Sequence, residues 1–333
     1  MKGQILLTGA SGFIGEHCVL DLLANDYDVV GTLRNPSREK ILRTNISKYG
    51  FDNRRIKYKH ADLRQPDEIY ASMEGCDAVF HVASPVPIAQ PKDSSEIIEV
   101  ARQGTLNVLE AAVIRGIKRV ILTSSVATIF GKGGKRKIYN SSDWTNPEEK
   151  DLTPYTLSKT LAEKSAWSFS RENKIDLTTI HPSLVLGPAL GKDYGSSLEA
   201  LVKILKKEIL LIPRFGFEIV DVRDVAALHR IALENTQSVN KRLIASNRFM
   251  WFQEIAEIID ETFPERNIPT KLMPDIGTWI LSLFITELRQ ITKDLGKEKK
   301  IDNTESLRLD WNPKEIKNTV IDSVNSLIDL DII

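Results

Sequence analysis

A chain of 333 residues with 45 basic and 45 acidic side chains carries no global field toward nucleic acid or an anionic membrane. It is long enough to bury one large core or two intimate ones. Its two cysteines, Cys18 and Cys76, offer neither a disulfide framework nor a metal-ligand cluster, and His17, His60 and His229 have no metal-binding spacing; a reducing, cytoplasmic setting is expected.

The chain enters a short apolar strand at Ile5–Thr8 at once, with no charged-then-apolar leader, so no signal peptide is expected. A glycine turn and a helix over Glu16 to Ala24 follow. Gly9, Gly12 and Gly15 are spaced G-x-x-G-x-x-G, one residue longer at the first gap than the dinucleotide fingerprint G-x-G-x-x-G. Glycines there let the backbone approach a pyrophosphate, whose charge the helix N-terminus stabilises. Gly9, Ser11, Gly12, Phe13, Ile14 and Gly15 are thus the candidate cradle; the competing reading is a turn that needs glycine only for its backbone angles.

The second strand, Asp28–Leu33, ends in Gly-Thr-Leu-Arg-Asn, with Arg34 where an NAD-preferring site often carries an acid for the ribose hydroxyl. A guanidinium pairs with a 2′-phosphate through two parallel charge-assisted bonds, so Arg34 points to NADPH; Arg38 and Lys40 either join it or decorate a solvated helix start. After the third strand, Ile56–Lys59, Asp62 and Leu63 either hold an adenine ring or, for Asp62, cap the helix near Pro66. Further strands are expected at Ala78–Val82, Val120–Thr123 and Asp176–His181, with helices at Ser94–Arg115 and Pro154–Glu172. This rhythm predicts an α/β fold, a Rossmann-type doubly wound parallel sheet with its ligand at the C-terminal strand ends.

Past His181 the pattern is broken by Pro182, Gly187, Pro188, Gly191, Gly195 and Pro213. Residues 1–180 plus about 216–245 are expected to form the dinucleotide domain. About 181–215 plus 246–333 are expected to form a smaller C-terminal substrate lobe. Gly131–Lys137 is a basic glycine loop without the Gly-Lys-Ser/Thr ending of a P-loop. The apolar stretch Ile276–Leu288 is shorter than the ~20 residues of a membrane span, so a buried or partner-facing helix is expected.

Tyr155 and Lys159 stand four residues apart just past Pro154, on one face of a starting helix. A free phenol has a pKa of about 10. A neighbouring ammonium favours phenolate and draws that value toward the working range, which suits proton transfer with a carbonyl/alcohol pair. The spacing alone is weak, but the same chain carries a candidate hydride-carrier site.

Thr8–Gly15, Val79-Phe-His-Val-Ala-Ser-Pro85, Thr123-Ser-Ser125, Tyr155–Lys159 and His181-Pro-Ser-Leu-Val-Leu-Gly-Pro188 together resemble the extended short-chain dehydrogenases/reductases. Within them the chain is most similar to the dihydroflavonol 4-reductase-like carbonyl reductases. Gly104-Thr-Leu-Asn-Val-Leu-Glu110, Asp143-Trp144, Val220–Val225 and Leu295–Lys300 extend the resemblance over nearly the whole length. It implies an NADP(H)-dependent oxidoreductase with Tyr155 as general acid, Lys159 on the nicotinamide ribose and acidifying Tyr155, and Ser125 donating to the carbonyl oxygen, with Ser124 the alternative donor. Val82, Ala83 and Ser84 would flank the cofactor, and the backbone of Pro182 and Ser183 would grip its carboxamide. Asn107 resembles the helix asparagine that supports the active-site backbone, with a buried structural role equally open; His81 is read as packing.

Plant flavonoid reductases place a polar residue five positions after the catalytic serine, and Phe130 stands there. It is either an aromatic wall for an apolar or smaller carbonyl compound or a packing residue. Three readings follow. The first is a reductase of an aldehyde or ketone, monomeric or homodimeric, with no nucleic-acid or membrane partner. The second is a nucleotide-sugar epimerase/dehydratase or 3-beta-hydroxysteroid dehydrogenase-like oxidoreductase. The third is a non-enzymatic NADP-sensing protein, against which the retained Tyr155 and Lys159 argue.

Overall fold

Ile5, Leu6 and Leu7 are each at most 1% exposed, the signature of a strand covered on both faces, as parallel sheets require. The computed structural model describes residues 2–84, 94–131, 138–150, 152–283 and 285–333. Its first half runs β1 (Gly3–Thr8), α1 (Phe13–Ala24), β2 (Tyr27–Leu33), α2 (Glu39–Lys48), β3 (Ile56–His60), α3 (Pro66–Ser72), β4 (Ala78–His81), α4 (Ser94–Ile114), β5 (Arg119–Thr123), β6 (Ile138–Tyr139), α5 (Pro154–Asn173) and β7 (Asp176–Pro182). The second half runs β8 (Leu184–Leu186), α6 (Gly195–Leu205), β9 (Ile212–Pro213), β10 (Gly216–Asp221), α7 (Val222–Glu234), β11 (Arg242–Ala245), β12 (Arg248–Trp251), α8 (Phe252–Thr262), β13 (Leu272–Met273), α9 (Asp275–Leu281), α10 (Thr286–Ile291), β14 (Lys300–Ile301), α11 (Thr304–Leu307) and α12 (Ile316–Asp329).

Seven strands form one parallel sheet in the order β11-β7-β5-β4-β1-β2-β3. Alternation along each strand divides the core in two. Ile5, Leu7, Val29, Phe80 and Ile121 pack against α1 and α7, while Leu6, Val30, Val79 and Val120 pack against α4 and α5. The expected Rossmann-type fold is the one observed. Strand order reverses between β1 and β4, so the crevice beyond their C-terminal ends is the topological switch point where such sheets hold ligands.

The smaller lobe is built on a three-stranded sheet, β12-β10-β8, with α6, α8 and α12 around it. One expectation is corrected here. Gly216–Asp221 does not rejoin the large sheet; it pairs with β8 and β12, and only α7 and β11 return. Its alternating residues explain the difference: Ile219 faces the small lobe's core and Val220 the main core, so β10 is the seam between them.

The apolar stretch from Ile276 is not buried. Thr278 in α9 and Ser282 just past its end turn inward at 0% and 4% exposure, while Ile276 and Trp279 face outward at 68% and 57%. No helix among the described residues is long and apolar enough to cross a membrane. Pro85 and residues 132–137 of the basic glycine loop lie outside the described residues.

Candidate active site

Gly9 follows β1 directly with φ +73, and a Cβ there would lie 2.8 Å from the Ala83 backbone. The Ala83 amide in turn donates to the Thr8 carbonyl at 3.1 Å, fixing Val82, Ala83 and Ser84 beside the turn. A Cβ on Gly15 would sit 2.0 Å from the Gly9 carbonyl oxygen, so packing of the turn demands glycine at both positions. Gly12 differs. Its φ is −85, open to any residue, and its nearest non-neighbour is an ordinary 3.5 Å away. It caps α1 without a side-chain hydrogen bond, so the first-turn amides face an open space that a side chain would narrow. Those features fit a pyrophosphate, with Ser11, Phe13 and Ile14 lining the turn.

Arg34 is exposed at the end of β2 and forms no hydrogen bond or ion pair among the described residues; Lys40 is likewise exposed, its ammonium unpaired among them. Arg38 is engaged. It pairs with Asp193, donates to the Ser11 carbonyl at 3.3 Å and lies 3.8 Å from Glu16, clasping the glycine turn to the segment before α6. Asp62 caps neither α3 nor an open space. Its carboxylate takes a double hydrogen bond from Arg64, which depresses its pKa to about 2. Leu63 is pinned by Gly104, where a Cβ would approach it to 2.9 Å, and by Asn107, which donates to its carbonyl at 2.8 Å. Asn107 therefore supports the Leu63 loop rather than the backbone around Ser125.

Thr153 caps α5 by accepting from the Thr156 amide at 3.1 Å, and Pro154 opens the helix, which sets Tyr155 in its first turn. Ser125, at the end of β5, accepts from the Ala127 amide at 3.2 Å, leaving its proton free; its hydroxyl faces the Tyr155 phenol and favours the charged form. Ser124 is engaged elsewhere, donating to Glu163 at 2.6 Å. Lys159 is buried and donates to the Thr123 carbonyl at 3.2 Å. Burial lowers its pKa to about 8, against the opposing pull of Glu163.

The expected effect of Lys159 on Tyr155 is corrected by this geometry. Burial is the larger influence on the phenol and raises its pKa, with Ser125 alone pulling it down, because the ammonium is aimed at the Thr123 carbonyl. The Ser183 amide donates to the Ala245 carbonyl at 3.0 Å, so among the backbone atoms expected to grip the carboxamide this one is already engaged. Its buried hydroxyl has no partner among the described residues, a polar atom suited to a carboxamide. His81 is packing: it bonds Thr8 at 2.8 Å and is kept neutral, its pKa near 3, by burial and then by Lys159. Phe130 stacks on Tyr139 at 5.0 Å under the Lys299 ammonium. Reading the sequence alone missed Glu163, although its spacing of four from Lys159 places it on the same face of α5.

The profile of the NAD dependent epimerase/dehydratase family matches residues 5–245. A tetraketide alpha-pyrone reductase of Arabidopsis thaliana is 36% identical over 278 residues, 81% of this chain and 84% of the relative. The chain belongs to the NAD dependent epimerase/dehydratase family. Two solved members are similar over their whole length. Vestitone reductase from alfalfa (Medicago sativa L.) has a TM-score of 0.80 and 26% identity over 100% of both chains. Yeast methylglyoxal/isovaleraldehyde reductase, complexed with NADPH, has a TM-score of 0.80 and 26% identity over 98% of this chain and 99% of that one. Within the epimerase/dehydratase family this is an extended short-chain dehydrogenase/reductase of the reductase kind, an oxidoreductase acting on carbonyl and alcohol groups.

Proposed function

We propose that this protein reduces an aldehyde or ketone to the alcohol with NADPH. The observation that carries the reading is the convergence of Ser125, Tyr155 and Lys159 at the C-terminal end of β5, two strands from the glycine turn after β1. Gly9, Ser11, Gly12, Phe13, Ile14 and Gly15 would hold the pyrophosphate, Arg34 and Lys40 the 2′-phosphate, and Leu63 the adenine. Val82, Ala83, Ser84, Pro182 and the Ser183 hydroxyl would line the nicotinamide side. When bound, NADPH supplies the hydride that reduces the carbonyl carbon.

The chain's own residues manage the proton. Tyr155, protonated at neutral pH, releases its phenolic hydrogen to the carbonyl oxygen, and Ser125 donates to the same oxygen as charge develops on it. A raised phenol pKa suits this direction, since the acid must still hold its proton at neutral pH. Lys159, near pKa 8, is largely an ammonium there and, held by the Thr123 carbonyl, would bind the nicotinamide ribose hydroxyls. The lobe built from about 181–221 and 246–333 would enclose the substrate, and the unpaired Cys18 and Cys76 fit a cytoplasmic setting. NADPH consumption against aldehydes, diketones, aryl ketones and sterols tests the reading. Turnover of at least one class is expected; tightly held NAD, with no stabilisation by NADPH, would reject it.

A further inference from the structure

Tyr155, Lys159, Glu163 and Trp167 recur every four residues along α5, one face turned toward β5 and β7. Glu163 is 1% exposed and receives five donors: Ser124 Oγ at 2.6 Å, Arg242 Nε at 2.7 Å, His181 Nε2 at 2.9 Å, Trp167 Nε1 at 3.1 Å and Thr179 Oγ1 at 3.3 Å. Burial, the largest influence, opposes its charge, but His181 and Arg242 outweigh it and hold the carboxyl well below the usual carboxylate range. Arg242 continues the network. Its guanidinium donates to Thr128 Oγ1 at 3.0 Å and to the Ser141 and Asp143 carbonyls at 2.7 and 2.6 Å, and stacks on Trp144 at 3.7 Å. Thr128 in turn bonds the Ser125 carbonyl through both its amide and its hydroxyl, each at 3.0 Å.

We propose that Glu163 is a positioning residue for carbonyl reduction: it fixes Ser125 by gripping the chain on both sides of it and supplies the negative charge that Lys159 faces. The proposal rests on the reductase reading above. A purely structural ion pair is the competing account, yet buried pairs are often replaceable by apolar side chains without loss of stability. What sets this one apart is where its donors stand. Ser124 precedes Ser125, and Arg242 reaches Thr128 in the turn that follows it. The charged and titratable groups facing Lys159 are Tyr155 and Glu163 on α5 and His81 on β4, with His181 on β7 and Arg242 on β11 beyond Glu163. His81 is held neutral by burial, and Glu163 is the one anion among these that draws Lys159 back toward its charged form.

The test uses the full chain labelled with 13Cε-lysine, the Lys159 signal assigned through Lys159→Arg. In Glu163→Gln the Lys159 titration midpoint is expected to fall by about one pH unit, because a neighbouring opposite charge has been lost. With NADPH and a substituted benzaldehyde, or whichever panel carbonyl the wild type reduces, the alkaline limb of kcat should fall by the same amount, with KM within about threefold. Glu163→Asp, which keeps the charge, should hold the midpoint near 8. Ser124→Ala should lower kcat about 3–10-fold without moving the midpoint. An unmoved midpoint and limb in Glu163→Gln, or an unchanged kcat in Ser124→Ala, overturns the proposal. Should Glu163→Gln not fold, the midpoint in Glu163→Asp and kcat in Ser124→Ala decide it. If the wild type reduces no carbonyl compound, the reductase reading falls instead, and the NMR titration still reads the Glu163–Lys159 coupling.

Discussion

Tyr155 and Arg34 lie at opposite ends of the proposed cofactor site, and each makes a separable claim. General acid catalysis is worth about 10²–10⁴-fold. Tyr155→Phe is therefore expected to lower kcat by at least about 10²-fold while NADPH affinity stays within about twofold, as stopped-flow turnover and fluorescence titration would read. Normal turnover would remove Tyr155 from the chemistry. Arg34 forms no hydrogen bond or ion pair among the described residues and feels the Asp62 carboxylate only at longer range, so its guanidinium donors are open to a 2′-phosphate. A charge-assisted bond of about 1.5–3 kcal/mol converts to roughly 10–100-fold in affinity. Arg34→Ser should weaken NADPH by that factor and leave NADH nearly unchanged; equal losses for both cofactors would place the phosphate elsewhere.

At the scale of the element, the glycine turn separates a packing requirement from a binding one. Gly15→Ala puts a methyl 2.0 Å from a backbone oxygen that cannot move independently of β1. Overpacking of this kind costs about 1–3 kcal/mol or more, readable as a fall in urea midpoint even without cofactor. Gly12→Ala meets nothing closer than 3.5 Å, so its stability should stay within about 0.5 kcal/mol while NADPH binding weakens at least tenfold. If Gly12→Ala binds NADPH normally, the pyrophosphate does not approach the turn there. Helix α5 shows the same division. Its start is set locally by Thr153 and Pro154, whereas its buried face is defined by what β5, β7 and β11 bring to Glu163.

On the whole molecule, the joint between the two lobes contains a titrating group. Glu16, buried in α1, has its pKa raised from 4.5 to about 7, first by burial, with Asn45 and Arg38 opposing. A carboxyl whose folded pKa lies above its unfolded value stabilises the fold while protonated and loses that contribution as pH rises through the window from 4.5 to about 7. At about 1.4 kcal/mol per pH unit, wild type should lose on the order of 1–3 kcal/mol relative to Glu16→Gln between pH 5 and 7.5. Thermal unfolding across that range checks it, and parallel curves would contradict it. The linear order of apolar runs, glycines and Tyr155/Lys159 was enough to determine the parallel α/β architecture, the position of the glycine turn and the face of α5 that Tyr155 and Lys159 share, because periods of two and 3.6 residues are local properties of the backbone. Tertiary structure alone decided that Lys159 reaches Thr123, that Asp62 and Arg38 are already paired, that β10 belongs to the small sheet and that Glu163 accepts from Ser124 beside Ser125. Those facts depend on which strands become neighbours and on how far burial outweighs charge, and neither is written in the spacing of residues along the chain.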